Sequence, residues 1–276
     1  MNNTVITITT DFGLSDGYIA AVKGVILSIN RRAILVDIAH NIPPQNIGHA
    51  AFILNSAYRF FPKKTIHVVV VDPGVGTDRR ALLLMTPNGI FIAPDNGVLS
   101  HVLIENGVVL PSKKEFLEPL IVKVPFDCKV YELNNPMYWS DTVSNTFHGR
   151  DIFAPSAAYL SLGILPKVLG TSIDKLVCLN IPNPVIEGDR LIGQVIHVDY
   201  FGNLITNIKG DYLTNKNPII QIKNFSIQGL SKSYSDVGEI VAIIGSNDLL
   251  EISCPNASAT ASLKIGLGEE LRLYID

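Results

Sequence analysis

In the first 71 residues, short runs rich in β-branched side chains alternate with longer segments of helical period, and this alternation limits the possible folds more than any other feature. TVITITT (Thr4–Thr10), AILVDIA (Ala33–Ala39) and IHVVVV (Ile66–Val71) are too short for helices and end at turn-forming or charged residues, so they read as strands. Between them, YIAAVKGVILSIN (Tyr18–Asn30) sets Ala21, Val25, Ile26 and Ile29 at helical spacing behind a Ser15–Asp16 pair suited to cap it. NIGHAAFILNSAYRFF (Asn46–Phe61) has the same period. The order βαβαβ predicts a mostly parallel sheet with helices on both faces, whose ligands sit in the loops at the carboxyl ends of the strands. TTDFG and VDPGVG fall in those loops. GIFIAPDN (Gly89–Asn96) and LIVKVP (Leu120–Pro125) add strands, and DIFAPSAAYLSLG (Asp151–Gly163) reads as a helix.

Near Leu179–Asp189 the chain gathers Pro, Gly and Asn without periodicity, the composition of a connection between folded units. Beyond it, LIGQVIHVDYFGNLITNI, PIIQIKNFSI, EIVAIIGS, LLEISC and LRLYID are short strands separated by turns. The expected architecture is an α/β N-terminal domain over residues 1–178 and a smaller antiparallel, barrel-like β domain over residues 188–276.

Composition excludes several classes. With 47% hydrophobic and 17% charged residues the chain of 276 residues is suited to a packed core. A net charge of −3 offers no basic field for a polyanion, so no nucleic-acid partner is expected. Cys128, Cys178 and Cys254 are widely spaced and read as buried free thiols. No apolar run is long enough for a membrane span, and MNNTVITITTDFG lacks the pattern of a secretory leader, so a soluble cytoplasmic protein is expected.

Three side chains stand out by position. Asp72 ends the most strand-like run and is held by Pro73 and Gly74 at the rim of the sheet. The GVG that follows has neither glycine spacing of a nucleotide-phosphate loop. Arg79, seven residues on, is near enough to share a pocket with Asp72 or simply to pin the loop as an ion pair. His148, in TFHGRDIFAP, is suited to moving a proton near neutral pH or to a hydrogen-bonded core role. His40, His101 and His197 keep position alone from singling it out.

What singles it out is a resemblance spread over nearly the whole chain. In order, TTDFGLSDGYIAAVKG, VVVVDPGVGTDRR, APDNGVLS, TFHGRDIFAP, HVDYFGNLITNI and LLEISCPNASA resemble blocks of the S-adenosylmethionine hydrolase family, also called SAM hydroxide adenosyltransferases, relatives of fluorinase and chlorinase. The resemblance implies hydrolysis of S-adenosyl-L-methionine to adenosine and L-methionine by water or hydroxide attack at the ribose C5′. The Asp, Arg and His credited there with activating the water match Asp72, Arg79 and His148. The halogenases put an aromatic residue in place of that aspartate, so the intact VDPGVG favours hydrolysis over halide transfer. A SAM-dependent halide adenosyltransferase and a non-catalytic SAM or adenosine binding protein are the alternative readings.

The resemblance also implies a substrate-binding set. Asp16 matches a carboxylate that grips the ribose hydroxyls, and Asp11 lines the same crevice or forms its turn. Asp199, Phe201 and Asn203 match a block that meets the methionine amino group and the adenine ring. Asn256, Ala257, Ser258 and Ala259 match a loop whose backbone reads the adenine edge. The halogenase arginine that holds the substrate carboxylate has no counterpart in LLEISCPNASA, leaving Ser246 or Ser253 as candidates. A homotrimer with sites at subunit interfaces is implied, and no metal or other cofactor.

Overall fold

A computed structural model describes residues 3–111, 115–234 and 238–274. Met1 and Asn2 of the N-terminal stretch, and Ile275 and Asp276 of LRLYID, lie outside the described residues. The chain divides into two units, one running to Val109 and resuming at Leu117–Asn180, the other starting at Ile181 and including Leu110, Pro111, Glu115 and Phe116.

The first unit follows the alternation of its sequence: β1 (Val5–Thr10), α1 (Tyr18–Ile29), β2 (Ile34–Ala39), α2 (Ile47–Tyr58) and β3 (Ile66–Val70). Then come β4 (Ala81–Met85), β5 (Ile90–Pro94), α3 (Ser100–Glu105), β6 (Pro119–Lys123) and β7 (Lys129–Glu132). A π-helical turn, Gly149–Phe153, runs into α4 (Ala154–Ser161), followed by α5 (Pro166–Leu169), β8 (Thr171–Ile173) and β9 (Lys175–Leu179). The main sheet has the order β2-β1-β3-β5-β4-β7-β8. Its first four strands are parallel and the last three pair antiparallel.

Helices cover both faces. Ile6, Ile8, Val68 and Val70 join one core with Val22 and Ile26 of α1 and Ala154, Ala157 and Ala158 of α4. On the other face His67 stacks on Phe91 with ring centroids 5.1 Å apart, and Tyr58 of α2 meets both rings edge-on. Burying one large apolar side chain contributes roughly 1.5–3 kcal/mol, so both layers hold the sheet.

Four details differ from the sequence reading. The helix start at Ser15–Asp16 is not capped by either side chain: Gly17 is the N-cap, with no side-chain hydrogen bond. The LIVKVP strand forms as β6 but pairs with β9 in a separate two-stranded ladder. ALLLM forms β4, a continuous buried run with neither alternation nor β-branching to announce it. The Asp151–Gly163 helix is preceded at Gly149 by the π-helical turn, and its α-helical part ends at Ser161.

The second unit contains β10 (Val185–Glu187), β11 (Arg190–Val198), β12 (Leu204–Lys209), β13 (Ile219–Ile222), β14 (Phe225–Gln228), β15 (Val241–Ile244), β16 (Leu249–Ser253), α6 (Ala259–Leu263) and β17 (Glu270–Tyr274). All pairings are antiparallel, in the order β14-β13-β17-β11-β12-β16-β15 with β10 on β11. Strand β11 alternates buried and half-buried residues with period two, as a sheet with one core face requires. The Ser231 N–H donates to the Ala242 carbonyl, so the chain leaving β14 meets β15 and nearly closes the sheet into a barrel. Leu191, Val195, Leu204, Ile220, Leu250 and Leu271 are in its core.

The three cysteines are free and buried. Among the described residues no helix is long and apolar enough to cross a membrane.

Candidate active site

Strand β1 lies between β2 and β3, so the connections from β1 and β3 leave the sheet in opposite directions and a crevice opens between their carboxyl ends. The pairing of Thr10 with Val70 sets the TTDFG and VDPG loops side by side there.

Asp72 enters this place two residues after β3 ends, and Arg79 returns to it before β4. The Arg79 Nε donates to Asp72 Oδ1 and Oδ2 at 3.0 and 2.9 Å, and its Nη2 donates to Oδ2 at 2.5 Å. The side chains are 4% and 10% exposed, which sets them apart from the rim ion pairs that contribute little. A buried pair repays its desolvation only with good geometry and further hydrogen bonds, and the guanidinium adds one from Nη2 to His148 Nδ1 at 2.8 Å. Its carbon also lies 5.2 Å from the centre of the Phe153 ring.

His148 comes from 69 residues further along the chain, and a glycine admits it. Gly76 has φ +79°, and a Cβ there would lie 2.3 Å from the Asn145 carbonyl oxygen. Only a residue without a side chain allows segment 145–148 to pack on the DPGVG turn. Gly149 then lies against Phe12 and Val70, and the π-helical turn carries His148 at its start. Such turns recur at functional sites.

A guanidinium only donates, so Nδ1 of His148 accepts and the proton of the neutral ring is on Nε2. Burial pushes the His148 pKa below the ordinary imidazole value, and the Arg79 charge adds to this against the opposing pull of Asp72 and Asp151. The result is a joined carboxylate, guanidinium and neutral imidazole.

Asp11 is beside this set but accepts the Gln45 N–H at 2.7 Å, which ties the β1 loop to the segment before α2. Asp16 is exposed and has no hydrogen bond among the described residues. Three rings of the neighbouring segments, Phe12, Tyr18 and Phe147, pack on one another, tilted or edge to face, with centroids 5.3–5.9 Å apart.

Of the other expected residues, Asp199, Phe201 and Asn203 gather with the Asn256–Ala259 segment in a second cluster, in the barrel unit. Asp199 Oδ1 accepts the Phe201 and Asn203 N–H groups, and Oδ2 accepts the Asn203 amide at 2.8 Å, so this carboxylate builds its own turn. The turn leaves Phe201 74% exposed. Gly202, at φ +85°, touches Ser258, and its carbonyl accepts the Thr260 N–H, which joins the turn to the start of α6. Ser258 caps α6, Ala259 is its buried first residue, and Ala257 bridges to Cys254 past Asn256 at φ 59°. Ser246 is exposed in the β15–β16 turn, and the Ser253 hydroxyl is buried without a hydrogen-bond partner among the described residues.

Sequence reasoning missed two features. Tyr234 donates to the buried Glu251 at 2.7 Å, and burial pushes the Tyr234 hydroxyl up to about 12 and the Glu251 carboxyl above its usual range. A charged residue inside the apolar run LLEIS was the available signal. The Phe12, Tyr18 and Phe147 group had none, because Phe147 joins the other two from far along the chain.

Residues 6–170 match the family model of the SAM hydroxide adenosyltransferase N-terminal domain, and residues 193–272 match that of its C-terminal domain. An (R)-S-adenosyl-L-methionine hydrolase from Salinispora arenicola is 31% identical over 97% of this chain and 97% of its own. One from Methanocaldococcus jannaschii is 32% identical over 98% and 95%. A fluorinase from Nocardia brasiliensis is 26% identical over 98% and 97%. Among solved structures, an uncharacterized conserved protein from Thermotoga maritima superposes with a TM-score of 0.83 at 33% identity, covering 97% of this chain and 99% of that one.

Proposed function

The chain belongs to the SAM hydroxide adenosyltransferase family, and from that premise we propose that it hydrolyses S-adenosyl-L-methionine to adenosine and L-methionine by attack of water or hydroxide at the ribose C5′. The observation that carries this reading is the hydrogen-bonded Asp72–Arg79–His148 set at the sheet's crevice.

The reaction forms a C5′–O bond and breaks the C5′–S bond, whose electron pair returns to sulfur. Methionine departs as a neutral thioether, so no acid is needed at sulfur and the nucleophile must be activated. Arg79 stabilises developing hydroxide in a site shielded from solvent. His148, with Nδ1 held by Arg79, offers Nε2–H to hold the water oxygen, and Asp72 is the acceptor for the water proton. Fixing the oxygen in line with C5′ and sulfur removes much of the remaining entropic barrier.

Asp16, free of internal bonds, is assigned to the ribose hydroxyls, with Asp11 holding the loop that carries it. The exposed Phe201 ring is assigned to adenine, with the backbone of Asn256–Ala259 at the purine edge. Asn203 and the turn built by Asp199 are assigned to the methionine amino group, and Ser246 to its carboxylate. The Asp72 carboxylate is already matched by a guanidinium, which disfavours a divalent ion there, so turnover without a metal is part of the proposal. So are a cytoplasmic location, in keeping with three free thiols, and a homotrimer with sites at subunit interfaces, as the resemblance implies. Resolving the nucleosides after incubation with S-adenosyl-L-methionine tests the reading. Adenosine supports it, whereas a 5′-halo nucleoside or unchanged substrate opposes it.

A further inference from the structure

Strand β5 lies between β3 and β4, so the loop that leaves β3 with Asp72 and enters β4 after Arg79 must cross the carboxyl end of β5. The turn following β5, Asp95–Asn96, is therefore beneath it and grips both of its ends. The Asn96 Nδ2 donates to the Val71 carbonyl at 2.8 Å, immediately before Asp72. Asp95 Oδ2 accepts from Nε and Nη2 of Arg80 at 2.9 and 2.5 Å, immediately after Arg79, and the Asp95 N–H donates to the Arg80 carbonyl at 2.9 Å.

The brace is itself anchored. Asn96 Oδ1 accepts the Val98 N–H at 3.1 Å, and Asp95 Oδ1 accepts the Val177 N–H of β9 at 2.7 Å. Arg80 Nη2 also donates to the Lys175 carbonyl at 2.9 Å. Asp95 is 8% exposed, so the carboxylate end of its ion pair is sheltered from solvent. We infer that Asn96 and Asp95 are positioning residues, which fix the two ends of the 71–80 loop and thereby set Asp72 and Arg79 in register with His148. The inference rests on the hydrolytic reading only for its kinetic readout.

The brace acts on the nucleophile set and not on substrate affinity. Displacing reacting groups by about 1 Å costs on the order of a hundredfold in rate. Asn96→Ala removes both bonds of the side chain. Asn96→Asp keeps the acceptor for Val98 and removes only the donor to Val71, and Asp95→Asn keeps an acceptor for Val177 while removing the charge that holds Arg80. The expected result is a fall in kcat of about 10- to 100-fold in each folded variant, with KM within about twofold and the melting temperature nearly kept in Asn96→Asp. A second readout needs no turnover: the His148 ring titration, followed by NMR, moves up towards the ordinary imidazole value as the Arg79 bond loosens.

Wild-type kcat and His148 titration retained in Asn96→Asp overturn the inference. So does a loss of kcat that only tracks a loss of folded protein in all three variants. If the wild-type protein releases no adenosine, the hydrolytic reading fails and the titration alone decides the brace.

Discussion

Arg79 donates to Nδ1 of His148 at 2.8 Å while gripping both oxygens of Asp72, so one guanidinium orients the carboxylate and sets the tautomer of the imidazole. The bond to Nδ1 needs a neutral ring. Protonating that nitrogen would break the bond and set two cations against each other.

Activity is therefore expected to be lost on the acid side only. The His148 pKa is lowered by burial first and the Arg79 charge second, so the loss is centred below the ordinary value near 6.5 and kcat/KM is flat from about pH 7 to 8. The same sign holds for stability: the depressed group costs nothing above its unfolded pKa and destabilises the fold as pH falls below it. A pH–rate profile with its acid limb above pH 7 would oppose this assignment.

Arg79→Lys preserves the charge and removes the fork. A lysine ammonium cannot hold both Asp72 oxygens and His148 in the observed plane, so kcat should fall about a hundredfold although the fold persists. Steady-state kinetics beside a circular-dichroism spectrum check it, and near wild-type kcat would mean that charge alone suffices.

Asp72→Ala and His148→Ala should each reduce kcat by roughly 100- to 10,000-fold with little change in substrate affinity, since both are assigned to the nucleophile. Equal losses in turnover and affinity, measured by kinetics and calorimetry, would assign them to shaping the pocket instead.

Asp16→Ala should weaken substrate binding by about 10- to 100-fold and leave the melting temperature unchanged. The side chain is exposed and does not cap α1, so its removal costs the fold nothing. Unaltered affinity in a titration would remove Asp16 from the ribose site.

The local parts of this fold were legible and its long-range joins were not. Short β-branched runs and helical spacing announced β1, α1, β2, α2 and β3 because each depends on its own side chains. ALLLM gave no period, so β4 escaped notice, and with it the crossing of the 71–80 loop over β5. Asp72 and Arg79 lie seven residues apart and were paired by proximity. His148 needed the family resemblance, because its approach depends on Gly76 making room for Asn145. Asp199 shows the converse: its residue type suggests a ligand acceptor, and only the folded turn shows both oxygens engaged by Phe201 and Asn203.

The most direct test is turnover of S-adenosyl-L-methionine in water enriched in ¹⁸O, followed by mass spectrometry of the nucleoside. Attack at C5′ predicts adenosine with one ¹⁸O in its 5′-hydroxyl and methionine without label. Adenosine lacking the label, or substrate recovered intact, would contradict the account.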